Sequence, residues 1–186
     1  MIVSGTNIDK AINMKLPSVF TKNKMCINAI IETPKGCAAK YNYDEETQMF
    51  RLKKILPAGM AFPFHFGFIP GTHAEDGDPL DVLVLLDEPS WPGCVIECRL
   101  IGVMEATETK NNKTIRNDRL IATAFASGKY SKIKRLDSMD KYLEKEIENF
   151  FNTYTNLEEK ELKIISKKGP GAAIELIKKA MKHGNN

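Results

Sequence analysis

Residues 75–86 have the sequence Glu75-Asp76-Gly77-Asp78-Pro79-Leu80-Asp81-Val82-Leu83-Val84-Leu85-Leu86. The second part, residues 82–86, is an unbroken apolar run of the kind that forms a buried strand. The first part contains three aspartates within six residues, on a turn that Gly77 and Pro79 favour. The sequence therefore places three carboxylates at the start of a buried strand, where a rigid element holds them.

Three neighbouring carboxylates repel one another unless positive charge lies between them, and Mg²⁺ and Ca²⁺ prefer oxygen ligands of this kind. Divalent cations held at this turn would clamp a phosphate group and activate water. A solvated acidic turn is the ordinary alternative, because Asp-Gly and Asp-Pro pairs are common in turns. A calcium loop of EF-hand type does not fit, since Leu80 falls where an oxygen ligand is needed and Asp81 where glycine is needed.

The composition is that of one globular domain with a hydrophobic core: 186 residues, 42% hydrophobic and 27% charged. The net charge of +3 is too small to indicate a nucleic-acid partner. No apolar stretch approaches the length of a membrane span, and no secretory signal is visible. The four cysteines, Cys26, Cys37, Cys94 and Cys98, contain no Cys-x-x-Cys pair. These features predict a reduced, cytoplasmic protein with no membrane partner.

Five segments are predicted to be strands, at residues 26–32, 49–54, 82–86, 95–106 and 114–124. Asn111 and Asn112 are predicted to form the turn of a hairpin. Four phenylalanines alternate with other residues, so that an extended chain would put their rings on one face: Phe62, Phe64, Phe66 and Phe68.

Two helices are predicted near the C-terminus. The first has an apolar stripe at helical spacing, and Ser138 is its predicted N-cap. The stripe consists of Leu143, Ile147, Phe150, Phe151 and Tyr154. The second helix is predicted to begin at Pro170 and to extend through Met181. Short strands followed by helices predict a single domain, with an N-terminal arm at 1–25, a closed β-barrel at 26–135 and a helical part at 136–186.

Residues 76–81, followed by Val-Leu-Val, resemble the signature of the soluble family I inorganic pyrophosphatases. Further segments are similar to that family in order and spacing, and the resemblance extends from about residue 28 to residue 181. These segments are residues 30–34 with 40–41, 62–63 with 66–69, 92–96, 101–103, and 150–158. The resemblance implies a mainly β fold, a five-stranded OB-type barrel with two C-terminal helices packed on it. It also implies hydrolysis of pyrophosphate to two phosphates, several Mg²⁺ ions with Mn²⁺ as an alternative, and a homo-oligomer.

The resemblance also implies roles for single residues. Asp78 matches the general base, and Asp76 and Asp81 match metal ligands. The other metal positions are Glu108 and either Asn117 or Asp118, because side chains alternate along a strand and only one of the two faces inward unless a bulge intervenes. The implied substrate-binding residues are Glu32, Lys40, Lys54, Arg119 and Tyr154.

Several positions depart from the family pattern, and most departures keep the sign of the charge or the aromatic ring. They are Asn42 for glutamate, Lys54 for arginine, Phe62 and Phe66 for tyrosine, Glu108 and Asn117 for aspartate, Arg119 for lysine, and Thr155 for lysine. This pattern favours an active enzyme with a re-tuned site. A weak or inactive phosphate-binding homologue and a hydrolase of another phosphoanhydride are the alternatives. Nucleic-acid binding through the barrel has only the phenylalanine row in its favour and is not predicted.

The oligomeric state is left open by two further positions. Asn149 and Thr153 stand where histidines link subunits in hexameric members of the family.

Overall fold

The computed structural model describes residues 16–22, 26–75 and 77–183. Of the predicted N-terminal arm, it therefore describes only residues 16–22, in which Val19 is buried in the core and Phe20 pairs with Ile27. The strands of the described part are β1 (Cys26–Thr33), β2 (Ala39–Asp44), β3 (Met49–Ile55), β4 (His65–Phe68), β5 (Asp81–Leu85), β6 (Val95–Lys110), β7 (Lys113–Arg116), β8 (Arg119–Ala124) and β9 (Glu161–Lys168). The helices are a 3-10 helix (Leu136–Ser138), α1 (Lys141–Asn156) and α2 (Pro170–His183).

Five strands close into a ring. β1 pairs with β4, β4 with β5, β5 with β8, β8 with β6, and β6 pairs back with β1. Only the β5–β8 pairing in this ring is parallel. Within the ring, each strand therefore has a paired neighbour on both sides. The predicted five-stranded OB-type barrel with two C-terminal helices is confirmed.

The core has two parts, on opposite faces of the ring strands. Val82 and Val84 of β5 belong to one cluster, which α2 covers with Ala173 and Ile177. Leu83 and Leu85, which point the other way, belong to a second cluster together with Ile147 of α1. Because both faces of β5 are covered, the strand is apolar at every position after Asp81, and this explains the unbroken run in the sequence.

The structure corrects two predicted boundaries. Asp140, and not Ser138, is the N-cap of α1, since its carboxylate accepts a hydrogen bond from the Tyr142 amide at 2.7 Å. Ser138 instead ends the preceding 3-10 helix. The single strand predicted for residues 114–124 is two strands, β7 and β8, separated by Asn117 and Asp118.

The predicted hairpin is confirmed, and three of the four phenylalanine rings share one core cluster. Asn111 and Asn112 both have positive φ, 50° and 61°, and connect β6 to β7 as a tight hairpin. Of the phenylalanine row, Phe62, Phe64 and Phe66 lie in the second core cluster. The fourth ring, Phe68, is also buried, and it stacks on Tyr43 with ring centroids 5.4 Å apart.

The described part of the chain contains two strands that the sequence did not predict, β2 and β9, whereas β4 lies within the predicted extended segment of the phenylalanine row. β2 pairs only with β3, in a separate two-stranded sheet, and β9 pairs with the distal half of β6. No helix of the described part is long and apolar enough to cross a membrane.

Gly67 is a position where β1 and β4 approach too closely for any side chain. A Cβ atom there would lie 2.0 Å from the carbonyl oxygen of Ile30. We expect Gly67→Ala to lower the free energy of unfolding by about 2–3 kcal/mol, because the clash is with backbone that cannot move aside. Urea denaturation measures the change. Gly171→Ala is the matched control, since a Cβ atom there meets nothing within 4 Å, and equal losses in both variants would contradict the prediction.

Candidate active site

A cavity of about 250 Å³ lies where the first residues of β5 and β8 meet β1, β2 and α1. Most of the predicted site residues line it: Glu32, Lys40, Asp78, Asp81, Glu108, Asn117, Asp118, Arg119 and Tyr154. Lys54 contacts two residues of the cavity wall, Tyr154 and Glu158. Asp76 lies outside the described residues.

The turn before β5 is held by backbone hydrogen bonds. The Ala74 amide donates to the Asp78 carbonyl at 2.7 Å, and the Gly77 amide donates to the Ala74 carbonyl at 3.1 Å. Gly77 has a φ of 93°, a conformation that favours glycine. This turn leaves the Asp78 residue exposed at the cavity, whereas Asp81 is half-buried as the first residue of β5.

Arg119 lies at the centre of a polar cluster at the start of β8. Its guanidinium donates to the carboxylate of Asp81 and to the side-chain oxygen of Asn117. It also lies 3.9 Å from Glu108, and its residue is only 7% exposed. The guanidinium is 5.7 Å from the ring centroid of Phe151. One buried cation therefore lies close to two acids that are distant in sequence, Asp81 and Glu108.

The break between β7 and β8 separates the roles of Asn117 and Asp118. The Asn117 amide nitrogen donates to Glu108 at 3.0 Å, which joins Asn117 to the Arg119 cluster. The Asp118 carboxylate instead accepts a hydrogen bond from the Ala106 amide at 3.0 Å and pairs with Arg116. Both residues line the cavity, but of the two only Asn117 is hydrogen-bonded to Glu108, which is itself a predicted metal ligand.

Glu158 is a second centre of charge, at the C-terminal end of α1. Its carboxylate pairs with Lys54, accepts a hydrogen bond from the Tyr154 hydroxyl at 2.9 Å, and lies 3.1 Å from the Lys160 ammonium. Burial alone would raise the pKa of Glu158, but the bonds from Lys54, Lys160 and Tyr154 outweigh it and lower the pKa to about 2. Glu158 is therefore ionised and fixes three groups around itself.

Glu32 and Lys40 also line the cavity. The pKa of Glu32 is raised to about 7, first by burial and then by the negative charges of Asp81 and Asp78. A hydrogen bond from the Tyr43 amide at 2.7 Å lowers the pKa but does not outweigh these effects. Burial lowers the pKa of Lys40, whose ammonium lies 5.3 Å from the ring centroid of Tyr154. Additional positive charge in the cavity would therefore stabilise the ionised form of Glu32.

The donor atoms of the cavity fit a hard divalent cation such as Mg²⁺. The side-chain oxygen of Asn42 is buried there with no hydrogen-bond partner among the described residues, and Glu32, Asp78 and Asp81 line the same cavity. Within residues 16–22, 26–75 and 77–183, no three His, Cys, Asp or Glu side chains converge on one point. Mg²⁺ does not require such convergence, because it keeps several waters and takes one or two carboxylates together with phosphate oxygens of the substrate.

Sequence reasoning missed two residues of this site, Glu158 and Lys160. Glu158 belongs to a segment that resembles the family, but the sequence analysis gave this residue no role. Lys160 carried no signal, because only the fold of the loop after α1 brings its ammonium to 2.7 Å from Glu108.

Comparisons with known proteins agree with this geometry. The family model described as inorganic pyrophosphatase matches residues 29–185. An inorganic pyrophosphatase of Synechocystis is 34% identical over 157 residues, which are 84% of this chain and 90% of that protein. One of Methanosarcina acetivorans is 36% identical over 153 residues, 82% of this chain and 89% of that protein. The crystal structure of inorganic pyrophosphatase from Thermus thermophilus superposes with a TM-score of 0.82 at 30% identity, covering 92% of this chain and 97% of that one.

Proposed function

This chain belongs to the family I inorganic pyrophosphatases, and we propose that it hydrolyses pyrophosphate to two phosphates with Mg²⁺ as the cofactor. The observation that carries the proposal is the convergence on one cavity of acids and cations from separate strands and from α1. Acids alone would indicate a metal site, and cations alone an anion site. Their combination suits a metal complex of a highly charged phosphate.

Bound Mg²⁺ would supply positive charge that neutralises the substrate and acidifies the attacking water. Asp81, Glu108 and Asn117 are the described residues proposed to hold it, with Asp118 as the alternative to Asn117. Asp76, which lies outside the described residues, is proposed as a further ligand. Mn²⁺ has the same preference for oxygen ligands and would substitute.

The chain's own residues perform the proton transfer and the positioning. Asp78 takes a proton from the attacking water, whose oxygen forms a bond to one phosphorus atom. The bridging P–O bond breaks, and the second phosphate leaves with the electron pair. The exposure of Asp78 at the cavity supports this role, because both water and substrate reach it.

Cationic and hydroxyl groups hold the phosphate oxygens. We propose Lys40, Lys54, Arg119 and Tyr154 for this role, with Glu32 orienting the neighbouring groups. Arg119 pairs with Asp81 and Lys54 pairs with Glu158. These acids position the two cations in advance, so that phosphate binding does not require long side chains to be ordered from solvent.

Phosphate release from pyrophosphate, measured on the purified protein with and without Mg²⁺, tests the function. We expect release that depends on Mg²⁺ and stops when the metal is chelated. Binding of pyrophosphate without release would favour the phosphate-binding homologue. Faster release from another phosphoanhydride in the same assay would favour the alternative substrate.

Lys54→Ala and Arg119→Ala are each expected to weaken pyrophosphate binding and to lower turnover by about tenfold or more, from the loss of a charged hydrogen bond. Steady-state kinetics measures both effects. Lys54→Arg and Arg119→Lys are the controls, since each keeps the charge. Because Arg119 is buried, circular dichroism must first show that its variants are folded. Wild-type kinetics in both alanine variants would remove these two cations from the site.

We propose a cytoplasmic homo-oligomer. The four cysteines are free, which suits a reducing compartment. Met49, Leu52 and Ile55 of β3 are exposed apolar side chains that contact between subunits would cover. Light scattering on the purified protein measures the oligomeric state.

A further inference from the structure

His65 is a buried titratable side chain that the proposed mechanism does not use. It is the first residue of β4 and is fully buried. Its Nδ1 atom lies 3.1 Å from the Lys35 amide nitrogen and 2.9 Å from the Ser90 hydroxyl oxygen, and its Nε2 atom lies 2.9 Å from the Glu88 carbonyl oxygen. The ring therefore joins β4 to the turn after β1 and to the segment after β5.

These contacts define the protonation state of the ring. A carbonyl oxygen only accepts, so Nε2 carries a hydrogen and donates to Glu88. A backbone amide only donates, so Nδ1 carries no hydrogen and accepts from Lys35. The hydroxyl of Ser90 donates to the same atom. The geometry therefore requires the neutral imidazole with its hydrogen on Nε2.

Protonation of the ring would break this arrangement. A hydrogen on Nδ1 would point at the Lys35 amide, which would then lose its acceptor. The Ser90 hydroxyl can turn round and accept, but a backbone amide has no such freedom. The hydrogen bond between His65 and the turn after β1 therefore exists only in the neutral form.

The groups around the ring keep it neutral near pH 7. Burial has the largest effect and lowers the pKa of His65. The hydrogen bond to Glu88 raises this pKa, and the positive charge of Lys35 lowers it again. In the neighbouring strands, β4 pairs next to the ring with Val84 of β5 and Thr33 of β1, which are both uncharged. The ring therefore becomes charged only below the ordinary histidine pKa of about 6.5.

The turn that His65 holds lies between two residues of the cavity. Glu32 precedes the turn in β1, and Lys40 follows it in β2. Buried Thr33 closes the base of the turn, since its hydroxyl accepts a hydrogen bond from the Tyr41 amide at 3.1 Å. A displaced turn would therefore move both cavity residues, and a misplacement of about 1 Å is enough to cost a site up to about 100-fold.

We propose that His65 is a positioning residue, whose neutral imidazole holds the turn after β1 so that Glu32 and Lys40 face the substrate, and whose protonation releases that turn. The site then loses affinity in acid through a side chain that does not line the cavity. This inference rests on the proposed function, because Glu32 and Lys40 are proposed there as residues that bind and orient the substrate.

Nitrogen-15 NMR of the histidine side chains tests the protonation state directly, since the chain has three histidines. At pH 7.5 we expect one ring with a hydrogen on Nε2 and none on Nδ1. Its signals are expected to disappear in His65→Asn, which assigns them to His65. A hydrogen on Nδ1 of this ring at pH 7.5 would overturn the inference.

Binding of methylenediphosphonate, a pyrophosphate analogue that is not hydrolysed, tests the link to the site. It is measured by calorimetry with Mg²⁺ at pH 7.5. His65→Leu removes the acceptor and is expected to weaken binding about tenfold or more. His65→Asn keeps an oxygen acceptor near the position of Nδ1 and does not titrate, so it is expected to retain most of the affinity. Wild-type affinity in His65→Leu would contradict the inference.

Acidification separates positioning from core packing, and it decides the question if His65→Leu does not fold. Below about pH 6.5, the analogue affinity and the melting temperature are expected to fall more steeply in the wild type than in His65→Asn. The reason is that the unfolded chain takes up a proton at His65 that the folded chain resists. Glu32, with a pKa of about 7, is present in both proteins, so its titration cancels in the comparison.

Parallel pH curves for the wild type and His65→Asn would show that His65 only fills the core. The proposed function fails separately, if the wild-type protein binds the analogue but releases no phosphate from pyrophosphate.

Discussion

Asp81→Ala is expected to abolish turnover, with a drop of about 1,000-fold or more, and to weaken Mg²⁺ binding by about tenfold or more. Asp81 is the first residue of β5 and the acid that Arg119 pairs with. Its loss removes an oxygen ligand and leaves the Arg119 guanidinium without that partner. Calorimetric titration with Mg²⁺ and the phosphate-release assay measure the two effects.

Asp137→Ala is the matched control for this variant. Asp137 is an exposed aspartate whose partner, Arg135, lies outside the residues that line the cavity. We expect wild-type turnover and wild-type Mg²⁺ affinity from it. Unchanged Mg²⁺ affinity in Asp81→Ala would mean that the aspartates before β5 are not a metal site.

Asp78→Asn is expected to lower turnover about 100-fold or more while the fold and the Mg²⁺ affinity stay close to wild type. Asparagine has the same shape as aspartate but does not accept a proton from water at neutral pH. Asp78 lies on an exposed turn that backbone hydrogen bonds hold, so we expect the variant to fold. Steady-state kinetics, Mg²⁺ titration and thermal unfolding together separate these effects.

Asp78→Glu is the control that keeps a carboxylate at the turn. It is expected to retain more activity than Asp78→Asn, since a displaced base still accepts a proton. Near-normal turnover by Asp78→Asn would exclude Asp78 as the proton acceptor.

Features with a strong local signal could be predicted from the sequence. The strand after Asp81 is apolar on both faces, and the stripe of α1 repeats at helical spacing. The hairpin needs two residues that tolerate positive φ, and Asn111 and Asn112 supply them. In each case, burial or backbone conformation restricts the residues directly. The resemblance to a family added what these patterns do not contain, namely which residues share a site.

β2 and β9 were not predicted, because their side chains are half exposed and many are charged. In β9, exposed and partly buried residues alternate, but lysines and a glutamate occupy most of the exposed positions and weaken the apolar signal. The strand exists because the distal half of β6 presents an edge for it to pair with. That edge is created by the fold and is not visible in residues 161–168 alone.

By itself, the sequence determined the buried strand, the two helices and the acids at the start of β5, since each depends on neighbours along the chain. The tertiary structure alone decided which charges meet. Arg119 reaches Asp81 because β5 and β8 run parallel side by side, and Lys160 reaches Glu108 because the loop after α1 turns towards β6. Contacts between ionic groups depend on distances of a few ångströms in a wall of low dielectric constant. Such distances follow only from the closed barrel and the helix packed on it, and not from the spacing of residues in the chain.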